Sequence, residues 1–428
     1  MSTDNKLHFD TRKIHAGYRP QDHNNSIQVP IYQTAAFDLI STERANRLTK
    51  YEEAGFTYSR MANPTLTVLE ERVAALEGAS AAIALASGMS AISYALLNVG
   101  EGGRVIVSTR IYGGSYDACR KLYPSLGVQI DLLNNINDLD EIRSLIKDDT
   151  KALFIESISN PTNVIADIQA IARLVHEYGI PLIVDNSMPT PYLLNPFEHG
   201  ADIVVYSATK ALSGHGSLIG GLILESGKFD WTAGRHPQFT QKVYTYGDRS
   251  AVEVFPAFPF IGRVRTFYLA LLGATLSPFN AYLILQGIET LSERVKKQSE
   301  SALQIATFLS KHPKVAWISH SGLPGSKYKE LADKYFPKGI GGVFSFALKN
   351  NEAETNHFIE SLQLFSYHPN IGDARSLVIN SARVTHHELM DYERLSAGIP
   401  PETVRLSIGL EDVNDLIADL KQALDNVN

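Results

Sequence analysis

The sequence contains almost no cysteine. Cys119 is the only one in 428 residues, so no intrachain disulfide can form, and a reducing compartment is the simpler expectation. No apolar run is long enough to span a bilayer, and the first residues, MSTDNKLHFDTRKIHAG, lack the apolar block of a signal peptide. No cysteine and histidine spacing typical of a metal site occurs. We therefore expect a soluble cytoplasmic protein without a metal centre.

An excess of positive charge is missing too. The formal net charge is −7, which argues against a general affinity for nucleic acid or for an anionic membrane surface. The hydrophobic fraction is 44% and the charged fraction 20%, both ordinary for globular proteins. At roughly 150 residues per domain, a chain of this length predicts two or three structural units. An anionic ligand would have to be held by local groups.

One lysine stands in an unusual setting. The segment 207–221, SATKALSGHGSLIGG, lies between two apolar runs, and Lys210 has no carboxylate within five residues of it. Desolvation disfavours the charged form of a lysine in small, apolar surroundings. A neutral amine can attack a carbonyl and form a Schiff base. Taken alone, such a segment is more often a flexible surface loop.

The rest of the chain changes that balance, because from residue 81 onward it alternates apolar strands with amphipathic helices. This order predicts a parallel sheet that is covered by helices on both faces. Ligands of such sheets bind at the carboxyl ends of the strands. Polar or small side chains follow five of the predicted strands directly: Ser87, Tyr112, Asn160, Asp185 and Ser207. We expect these five residues to converge on one edge of the sheet.

Four regions outside the predicted sheet have distinct patterns. Residues 1–60 are polar and irregular and predict an arm that packs on something else, while the aromatic segment 226–262 predicts a loop that covers the site or forms a subunit contact. Ser277 predicts the N-cap of one long helix reaching Leu309. Residues 341–348 alternate like a half-exposed strand.

Seven motifs follow one another in the order of a known family: YSRMANPT, ASGMSAI, IYGGSY, ESISNPTN, IVDNSMPTP, YSATKALSGHGSLIGG and VRLSIGLED. With them the chain resembles the Cys/Met-metabolism family of pyridoxal-phosphate (PLP) enzymes, over nearly its whole length. Within the family it is most similar to the O-acetylhomoserine sulfhydrylase branch, as the Gly214-His215-Gly216 sequence and the segment 226–262 indicate.

The resemblance implies an α/β architecture, the PLP-dependent transferase fold type I. A mostly parallel sheet is sandwiched by helices, and a smaller α+β domain lies at the C-terminus. The implied division is an arm over 1–60 that contributes to a neighbouring subunit's site, a PLP-binding α/β domain over 61–275 and a C-terminal α+β domain over 276–428.

The resemblance also implies pyridoxal 5'-phosphate as the cofactor and assigns its contacts. Lys210 matches the lysine that bonds covalently to the cofactor and then serves as general acid and base. Asp185 matches the partner of the pyridine nitrogen, and Tyr112 matches the aromatic ring stacked on the cofactor, with a possible catalytic role. The residues that match the phosphate-binding cup are Gly88, Met89, Ser207 and Thr209.

Other assignments concern the substrate and the assembly. Arg405 and Asn160 match the groups that bind the substrate's α-carboxylate, with Ser376 as a companion; a guanidinium suits this because it bonds both carboxylate oxygens. Tyr58 and Arg60 match the pair that reaches the phosphate of a neighbouring subunit. The implied protein is a homo-oligomer with shared sites, a tetramer in most relatives.

The implied reaction is γ-replacement on O-acetyl-L-homoserine by sulfide or methanethiol, which gives L-homocysteine or L-methionine and acetate in methionine biosynthesis. Cystathionine γ-synthase, O-succinylhomoserine sulfhydrylase and γ-lyase would share every cofactor residue and stay open as alternatives, as does a binding protein of this fold without activity.

The sequence departs from the family pattern at two places that matter for the site. Ser187 and Met188 stand where relatives often have threonine and phenylalanine, and Gly114 stands where methionine γ-lyases carry a reactive cysteine.

Overall fold

Two β-sheets organise the chain in the computed structural model, which describes residues 7–385 and 390–427. The strands of the larger sheet are β1 (Ala81–Leu85), β2 (Arg104–Ser108), β3 (Gln129–Leu133), β4 (Thr150–Glu156), β5 (Leu182–Asp185), β6 (Ile203–Ser207) and β7 (Gly221–Glu225). Those of the smaller sheet are β8 (Val315–Ile318), β9 (Val343–Leu348), β10 (Ser366–Tyr367), β11 (Leu377–Asn380) and β12 (Thr403–Ser407).

The larger sheet is mostly parallel, as the sequence predicts. Its strand order is β1-β7-β6-β5-β4-β2-β3, and β7 alone runs antiparallel to its neighbours β1 and β6. Strands β4 to β7 are almost entirely buried, because helices cover both faces. The carboxyl ends of β4, β5 and β6 therefore lie side by side at one edge.

Helices fill the remaining layers. The α-helices span Phe9–His15, Thr42–Thr49, Pro64–Glu77, Gly88–Gly100, Gly113–Asp117, Tyr123–Ser125, Leu139–Leu145, Ile168–Glu177, Thr190–Leu193, Pro237–Thr240, Ala251–Val254, Pro259–Arg263, Ala270–Leu272, Pro278–Glu289, Leu291–Ser310, Lys329–Tyr335, Glu352–Ser361, Ser381–Val384, Asp391–Ser396 and Val413–Asp425. Short 3₁₀ turns span Pro20–His23, Pro196–His199 and Tyr244–Tyr246, and π-helical turns span Ala118–Leu122 and Val264–Leu269.

The helix ends that matter for the site follow their local sequence signals. The Ser87 hydroxyl accepts a hydrogen bond from the Ser90 N–H at 3.0 Å and so caps the helix that follows β1. Gly78 ends the preceding helix with a left-handed φ of 70°, a conformation that glycine adopts without steric cost. These two caps fix both sides of β1.

The long helix predicted from Ser277 is interrupted. Ser277 is its N-cap, as expected, but the structure has two helices, Pro278–Glu289 and Leu291–Ser310, with Thr290 between them. The guanidinium of Arg294 stabilises the interruption by donating to the carbonyl oxygen of Gly287 at 2.6 Å. The prediction of one continuous helix was wrong because the sequence pattern does not show this capping side chain.

Strand β9 is buried on both faces, so the expectation of a half-exposed strand was wrong. Phe344 and Phe346 on one face pack into the core of the smaller sheet. On the other side a loop of the larger domain approaches, and the Asn163 side chain donates to the Val343 carbonyl oxygen at 3.0 Å. The alternating pattern therefore marks two different buried surfaces.

The aromatic segment 226–262 belongs to the core on one side of the larger sheet. Trp231, Phe239 and Phe260 are buried there, with ring centroids 4.5 Å apart for Trp231 and Phe239. The Trp231 indole N–H donates to the Glu225 carboxylate at the end of β7, at 3.0 Å. These three aromatic residues therefore pack on the sheet, while the exposed residues 241–245 do not, and the predicted role of the segment as a cover over the site or as a subunit contact stays a prediction.

The N-terminal region is partly helical and packs on its own chain. Lys13 donates to the Glu293 carboxylate at 2.6 Å, and the Arg72 guanidinium donates to the Ala16 carbonyl oxygen at 3.0 Å. Residues 1–6 of the predicted arm lie outside the described residues. The division at residues 60 and 275 stays a prediction, with one sheet on each side of residue 276.

No helix in the described part of the chain combines the length and the apolar character that crossing a membrane requires. Within residues 7–385 and 390–427, no group of three or more histidine, cysteine, aspartate or glutamate residues is arranged to hold a metal ion.

Candidate active site

A cavity of about 220 Å³ lies at the carboxyl ends of the strands of the larger sheet. All five residues expected to converge there line it: Ser87, Tyr112, Asn160, Asp185 and Ser207. Five further residues singled out from the sequence line it as well: Gly88, Met89, Thr209, Lys210 and Arg405. Sequence analysis thus placed ten of the twenty lining residues in the site, through strand spacing and the family resemblance together, while their individual roles stay predictions.

Lys210 lies on the tight turn that follows β6. Its backbone N–H donates to the Ser207 carbonyl oxygen at 3.1 Å, and its Nζ donates to Asn370 Oδ1 at 2.7 Å. Burial lowers the pKa of Lys210 to about 8, and the positive charge of Arg405 acts in the same direction. A large fraction of this amine is therefore neutral, and nucleophilic, in mildly alkaline solution.

A buried arginine holds the lysine turn in place. Arg294 donates from Nη1 to the Ala211 carbonyl oxygen at 2.9 Å, and from Nη2 to the Gly287 carbonyl oxygen at the end of the neighbouring helix. Gly214 has a φ of +71°, and a Cβ there would lie 2.0 Å from Arg294 Nη1. Only glycine fits this turn while Arg294 keeps its bonds.

Two buried carboxyl groups end adjacent parallel strands. Glu156 of β4 and Asp185 of β5 are register partners. Asp185 Oδ1 accepts the Ser187 N–H at 2.8 Å, and Glu156 Oε1 accepts the Tyr112 N–H at 2.6 Å. Burial raises the pKa of both groups, and the charge of Asp185 raises that of Glu156 further.

Arg405 of β12 brings a guanidinium into the cavity from the smaller sheet. Nη2 donates to the Asn370 carbonyl oxygen at 2.9 Å, and Nη1 approaches Asn160 Oδ1 at 3.5 Å. Its Nε is buried and has no hydrogen-bond partner among the described residues. Burial lowers the pKa of Arg405 to about 10, so the group stays cationic at neutral pH. A carboxylate that entered the cavity would find an unused donor here.

On another wall of the cavity, the backbone at Gly88 lies close to Ser207. Gly88 begins the helix Gly88–Gly100, and a Cβ at this residue would lie 2.7 Å from the Ser207 Cβ. Thr209 Oγ1 accepts the Gly220 N–H at 3.1 Å, which fixes the far end of the same turn. Free N–H groups at a helix N-terminus, together with nearby hydroxyls, form a site suited to phosphate.

Ser187 and Met188, the first of the two departures from the family pattern, take part in this wall. The Ser187 hydroxyl accepts the Ser207 N–H at 2.6 Å, and Met188 lines the cavity. Tyr112 stands at the mouth with 45% of its surface exposed. Its ring forms an accessible flat face beside the cavity, which is what stacking on a planar ligand requires.

Three of the predicted site residues do not line the cavity. Ser376 is fully buried, donates to Glu411 Oε2 at 2.8 Å and accepts the Gly409 N–H at 2.9 Å, so its hydroxyl is already engaged; the structure does not support its assignment as a substrate contact. Tyr58 and Arg60 lie on the surface, with the Arg60 guanidinium 4.8 Å from the centre of the Tyr58 ring.

Comparison with known proteins identifies the family of this chain. Residues 10–425 match the family described as Cys/Met metabolism PLP-dependent enzymes. The chain belongs to this family.

Its relatives in the family match over nearly their full length. An O-acetyl-L-homoserine sulfhydrylase of Leptospira meyeri is 43% identical over 98% of this chain and 97% of that protein. A homocysteine synthase of Schizosaccharomyces pombe is 41% identical over 98% of both chains. A crystal structure assigned to an O-acetylhomoserine (thiol)-lyase of Campylobacter jejuni has a TM-score of 0.95 and 38% identity, covers 98% of this chain and 100% of its own, and carries N'-pyridoxyl-lysine-5'-monophosphate.

The cavity fits the PLP cofactor of this family. It presents one lysine with a lowered pKa, one buried carboxyl group whose Oδ1 is already fixed, and a helix N-terminus that glycine opens to an anion. The unpartnered Arg405 Nε lies among the same lining residues and suits an amino-acid carboxylate. The residues present thus supply a partner for each charged part of the cofactor and for its substrate.

Sequence reasoning missed two residues of this PLP site. Asn370 contacts both Lys210 and Arg405, but it lies in an irregular stretch with no periodic pattern. Glu156 stands inside the motif ESISNPTN, and its place as the last residue of a buried strand was the available signal. Glutamate is rarely buried unless it has a partner, so a glutamate at the end of a buried strand indicates a residue of the site.

Proposed function

We propose that the protein catalyses γ-replacement on O-acetyl-L-homoserine with sulfide, giving L-homocysteine and acetate. The observation that carries the proposal is the meeting of Lys210, Asp185 and Arg405 around one cavity in a member of the Cys/Met PLP family. Relatives named O-acetyl-L-homoserine sulfhydrylase and homocysteine synthase support the choice of reaction. Methanethiol in place of sulfide would give L-methionine by the same route.

PLP, when bound, supplies an electron sink that stabilises negative charge on the substrate's α-carbon. The protein's part is to move protons. Lys210 has a pKa of about 8, which lets its Nζ take a proton from the α-carbon and return it later at comparable cost. Asn370 Oδ1, 2.7 Å from Nζ, orients the amine toward the cavity.

Arg405 and Asn160 would hold the substrate's α-carboxylate. Arg405 is anchored through Nη2 to the Asn370 carbonyl oxygen, which leaves Nε free among the described residues. A charge-assisted bond from Nε would satisfy a donor that is otherwise buried without a partner. The substrate thereby gains both affinity and a fixed orientation of its α-carbon.

Asp185, Tyr112 and the phosphate cup would hold the cofactor. The Asp185 carboxylate would keep the proton on the pyridine nitrogen, and Tyr112 would stack on the ring and assist in proton transfer. Gly88 and Met89, with Ser207 and Thr209, would contact the phosphate from the helix N-terminus and the lysine turn.

Gly114 supports replacement over elimination within the family. A Cβ at Gly114 would lie 2.7 Å from Cε1 of the Tyr112 ring, so a cysteine there would displace the ring from its present place. Because residue 114 is glycine, the reactive cysteine of methionine γ-lyases has no counterpart at this position. Preference for the acetyl over the succinyl ester is part of the proposal and requires assay.

The test is a substrate panel on purified protein with the visible spectrum recorded alongside. We expect acetate and homocysteine from O-acetylhomoserine with sulfide, and little product from O-succinylhomoserine or from cysteine as the thiol. Lys210→Ala should abolish both the visible band of the bound cofactor and turnover, while Lys228→Ala, at an exposed lysine, serves as the control. Turnover that survives in Lys210→Ala would contradict the proposal.

We further propose a homo-oligomer, a tetramer built from dimers whose sites are shared. Tyr58 and Arg60 are exposed and stacked on each other, outside the cavity of their own chain. Their surface position supports a role toward a neighbouring copy's phosphate.

Mixing two inactive variants, Lys210→Ala and Arg60→Ala, tests this sharing. If Arg60 serves the neighbour, half of randomly paired dimers regain one intact site of two, so activity returns to about a quarter of the wild-type value. If Arg60 serves its own chain, no dimer contains an intact site and mixing restores nothing.

We also propose a cytoplasmic location. Cys119, the only cysteine, is buried and free, so the fold makes no use of an oxidising compartment. Fractionation of cells that express the tagged protein would test it, and recovery in a secreted or membrane fraction would contradict it.

A further inference from the structure

Glu156 joins three parts of the active site that come from different loops. Its Oε1 accepts the Tyr112 N–H at 2.6 Å, and its Oε2 is 3.4 Å from the Asn160 N–H. Its backbone is paired in register with Asp185 across β4 and β5. One side chain therefore lies against the residues proposed to stack on the cofactor, to bind the substrate and to contact the pyridine nitrogen.

Burial, the largest effect, and the charge of Asp185 raise the pKa of Glu156 well above its ordinary value, and they outweigh the two backbone N–H donors, which act in the opposite direction. It is buried, and in the described part of the chain its carboxyl oxygens bond to two backbone N–H groups and not to a lysine or arginine. The titratable side chains that line the same cavity are Asp185, Lys210, Tyr112 and Arg405. Of these, Asp185 is the charged neighbour that acts on Glu156, and its effect raises the pKa of the Glu156 carboxyl group. Two carboxyl groups that share a buried site do not both ionise readily.

The two oxygens of Glu156 differ in how they are used. Oε1 makes the short bond and is the acceptor, whereas Oε2 has only the long contact at 3.4 Å. Oε2 is thus the oxygen that can carry a hydrogen while the short bond from the Tyr112 N–H is kept. A carboxylic acid kept neutral by its surroundings is a known way to place a donor and an acceptor in an active site.

We infer that Glu156 is a positioning residue that holds a proton and aligns Tyr112 and Asn160 through their backbone N–H groups, leaving the negative charge of the site on Asp185. The inference rests on the proposed roles of those three residues. It assigns Glu156 no contact with reacting atoms. Its consequence is that Glu156 can be replaced by a neutral isostere, but not by an apolar side chain.

The experiment compares Glu156→Gln with Glu156→Leu in the holoenzyme and after removal of the cofactor. Glutamine keeps an oxygen to accept the short bond from the Tyr112 N–H, lacks the ionisable group and gives up only the 3.4 Å contact with the Asn160 N–H. We therefore expect PLP affinity within about threefold of wild type and an unchanged pH midpoint of the visible band. Leucine leaves both N–H groups without an acceptor, so we expect PLP affinity to fall about tenfold or more and KM for the amino-acid substrate to rise.

Glu141 provides the matched control. Its carboxylate also accepts two backbone N–H groups, from Asn134 at 2.8 Å and from Asn135 at 3.0 Å, but it lies outside the cavity. Glu141→Leu should reduce stability without changing PLP affinity. An equal loss of PLP affinity in Glu141→Leu and Glu156→Leu would reduce the role of Glu156 to general stability and overturn the inference.

Infrared difference spectra between wild type and Glu156→Gln test the proton directly. We expect the C=O band of a protonated carboxylic acid to be present in wild-type holoenzyme and lost in the variant. Absence of that difference, or a tenfold loss of PLP affinity in Glu156→Gln, would overturn the inference. If Glu156→Leu does not fold, these two measurements decide alone. Neither depends on which ester or thiol is the substrate, so a failed sulfhydrylase assay remains a separate result.

Discussion

Placing a carboxylate next to Lys210, the lysine proposed to bond to the cofactor, should shift the pH at which the apoenzyme captures PLP. Asn370→Asp is the smallest such change, since Asn370 Oδ1 lies 2.7 Å from Lys210 Nζ. Arg405 Nη2 bonds to the backbone carbonyl oxygen of Asn370 at 2.9 Å, so its positive charge lies nearby and favours the ionised form of the new carboxylate. An opposite charge at this distance stabilises the ammonium form of Lys210.

The size of the effect follows from the pKa of Lys210, which burial lowers to about 8. At pH 8 about half of the wild-type amine is therefore neutral. A charge partner within hydrogen-bond distance shifts such a group by about one to three pH units. The neutral fraction at pH 8 should then fall to between about a tenth and a thousandth, and the rate of cofactor capture should fall by about 5- to 500-fold.

The assay is stopped-flow mixing of PLP with apoenzyme from pH 6.5 to 10, with the growth of the visible band as the readout. The midpoint of the pH–rate curve should move upward in Asn370→Asp. Asn370→Leu is the control of similar size, because it removes the acceptor without adding charge, and its midpoint should stay at or below that of wild type. An unchanged midpoint in Asn370→Asp, or equal shifts in both variants, would refute the contact between Asn370 and Lys210.

Three further changes test other parts of the structure. Gly88→Ala would place a Cβ 2.7 Å from the Ser207 Cβ and should weaken PLP binding by roughly tenfold in an absorbance titration; unchanged affinity would show that the helix can move aside. Arg405→Lys keeps the charge but loses the fork, so KM for the amino acid should rise by about 10-fold or more while PLP affinity holds, and an unchanged KM would remove Arg405 from the carboxylate site. Burial raises the pKa of Glu77 from its ordinary value of 4.5 to about 8. Between these two pH values the folded state holds a proton that the unfolded state has released. The free energy of unfolding therefore falls by about 1.4 kcal/mol for each unit by which the pH rises in this range. Glu77→Gln should flatten this decline between pH 5 and pH 8 in urea titrations, whereas curves parallel to wild type would show that Glu77 is not protonated in the fold.

Most of the residues that sequence reasoning placed correctly have positions that depend on local spacing, whereas Arg405 of the smaller sheet was placed by the family resemblance. Each strand end is marked by an apolar run that stops at a polar or small residue, as at Asp185 and Ser207. In a parallel sheet, such strand ends must share one edge. The turn that carries Lys210 was readable for the same reason.

What could not be read depends on contacts between distant parts of the chain. Asn370 meets Lys210 across 160 positions, and nothing in its irregular neighbourhood marks it as a site residue. Ser376 was assigned from the family resemblance, and in the structure its hydroxyl donates to Glu411 at 2.8 Å and does not line the cavity. The alternating pattern of β9 distinguishes the two faces of the strand. It does not reveal that the larger domain covers the face opposite Phe344 and Phe346, so that the whole strand is buried.

The charges around the cavity explain how an acidic protein can hold anionic ligands. The net charge of −7 offers no general attraction, so binding has to come from groups whose charge is desolvated or whose donors are unpaired. Arg405 is buried without a carboxylate partner in the described residues, and one of its donors is unused. Burying a cation in this way is costly unless a partner arrives. An α-carboxylate that bonded to Arg405 would relieve that cost, so the proposed role of Arg405 would make the site selective for amino-acid substrates over uncharged esters.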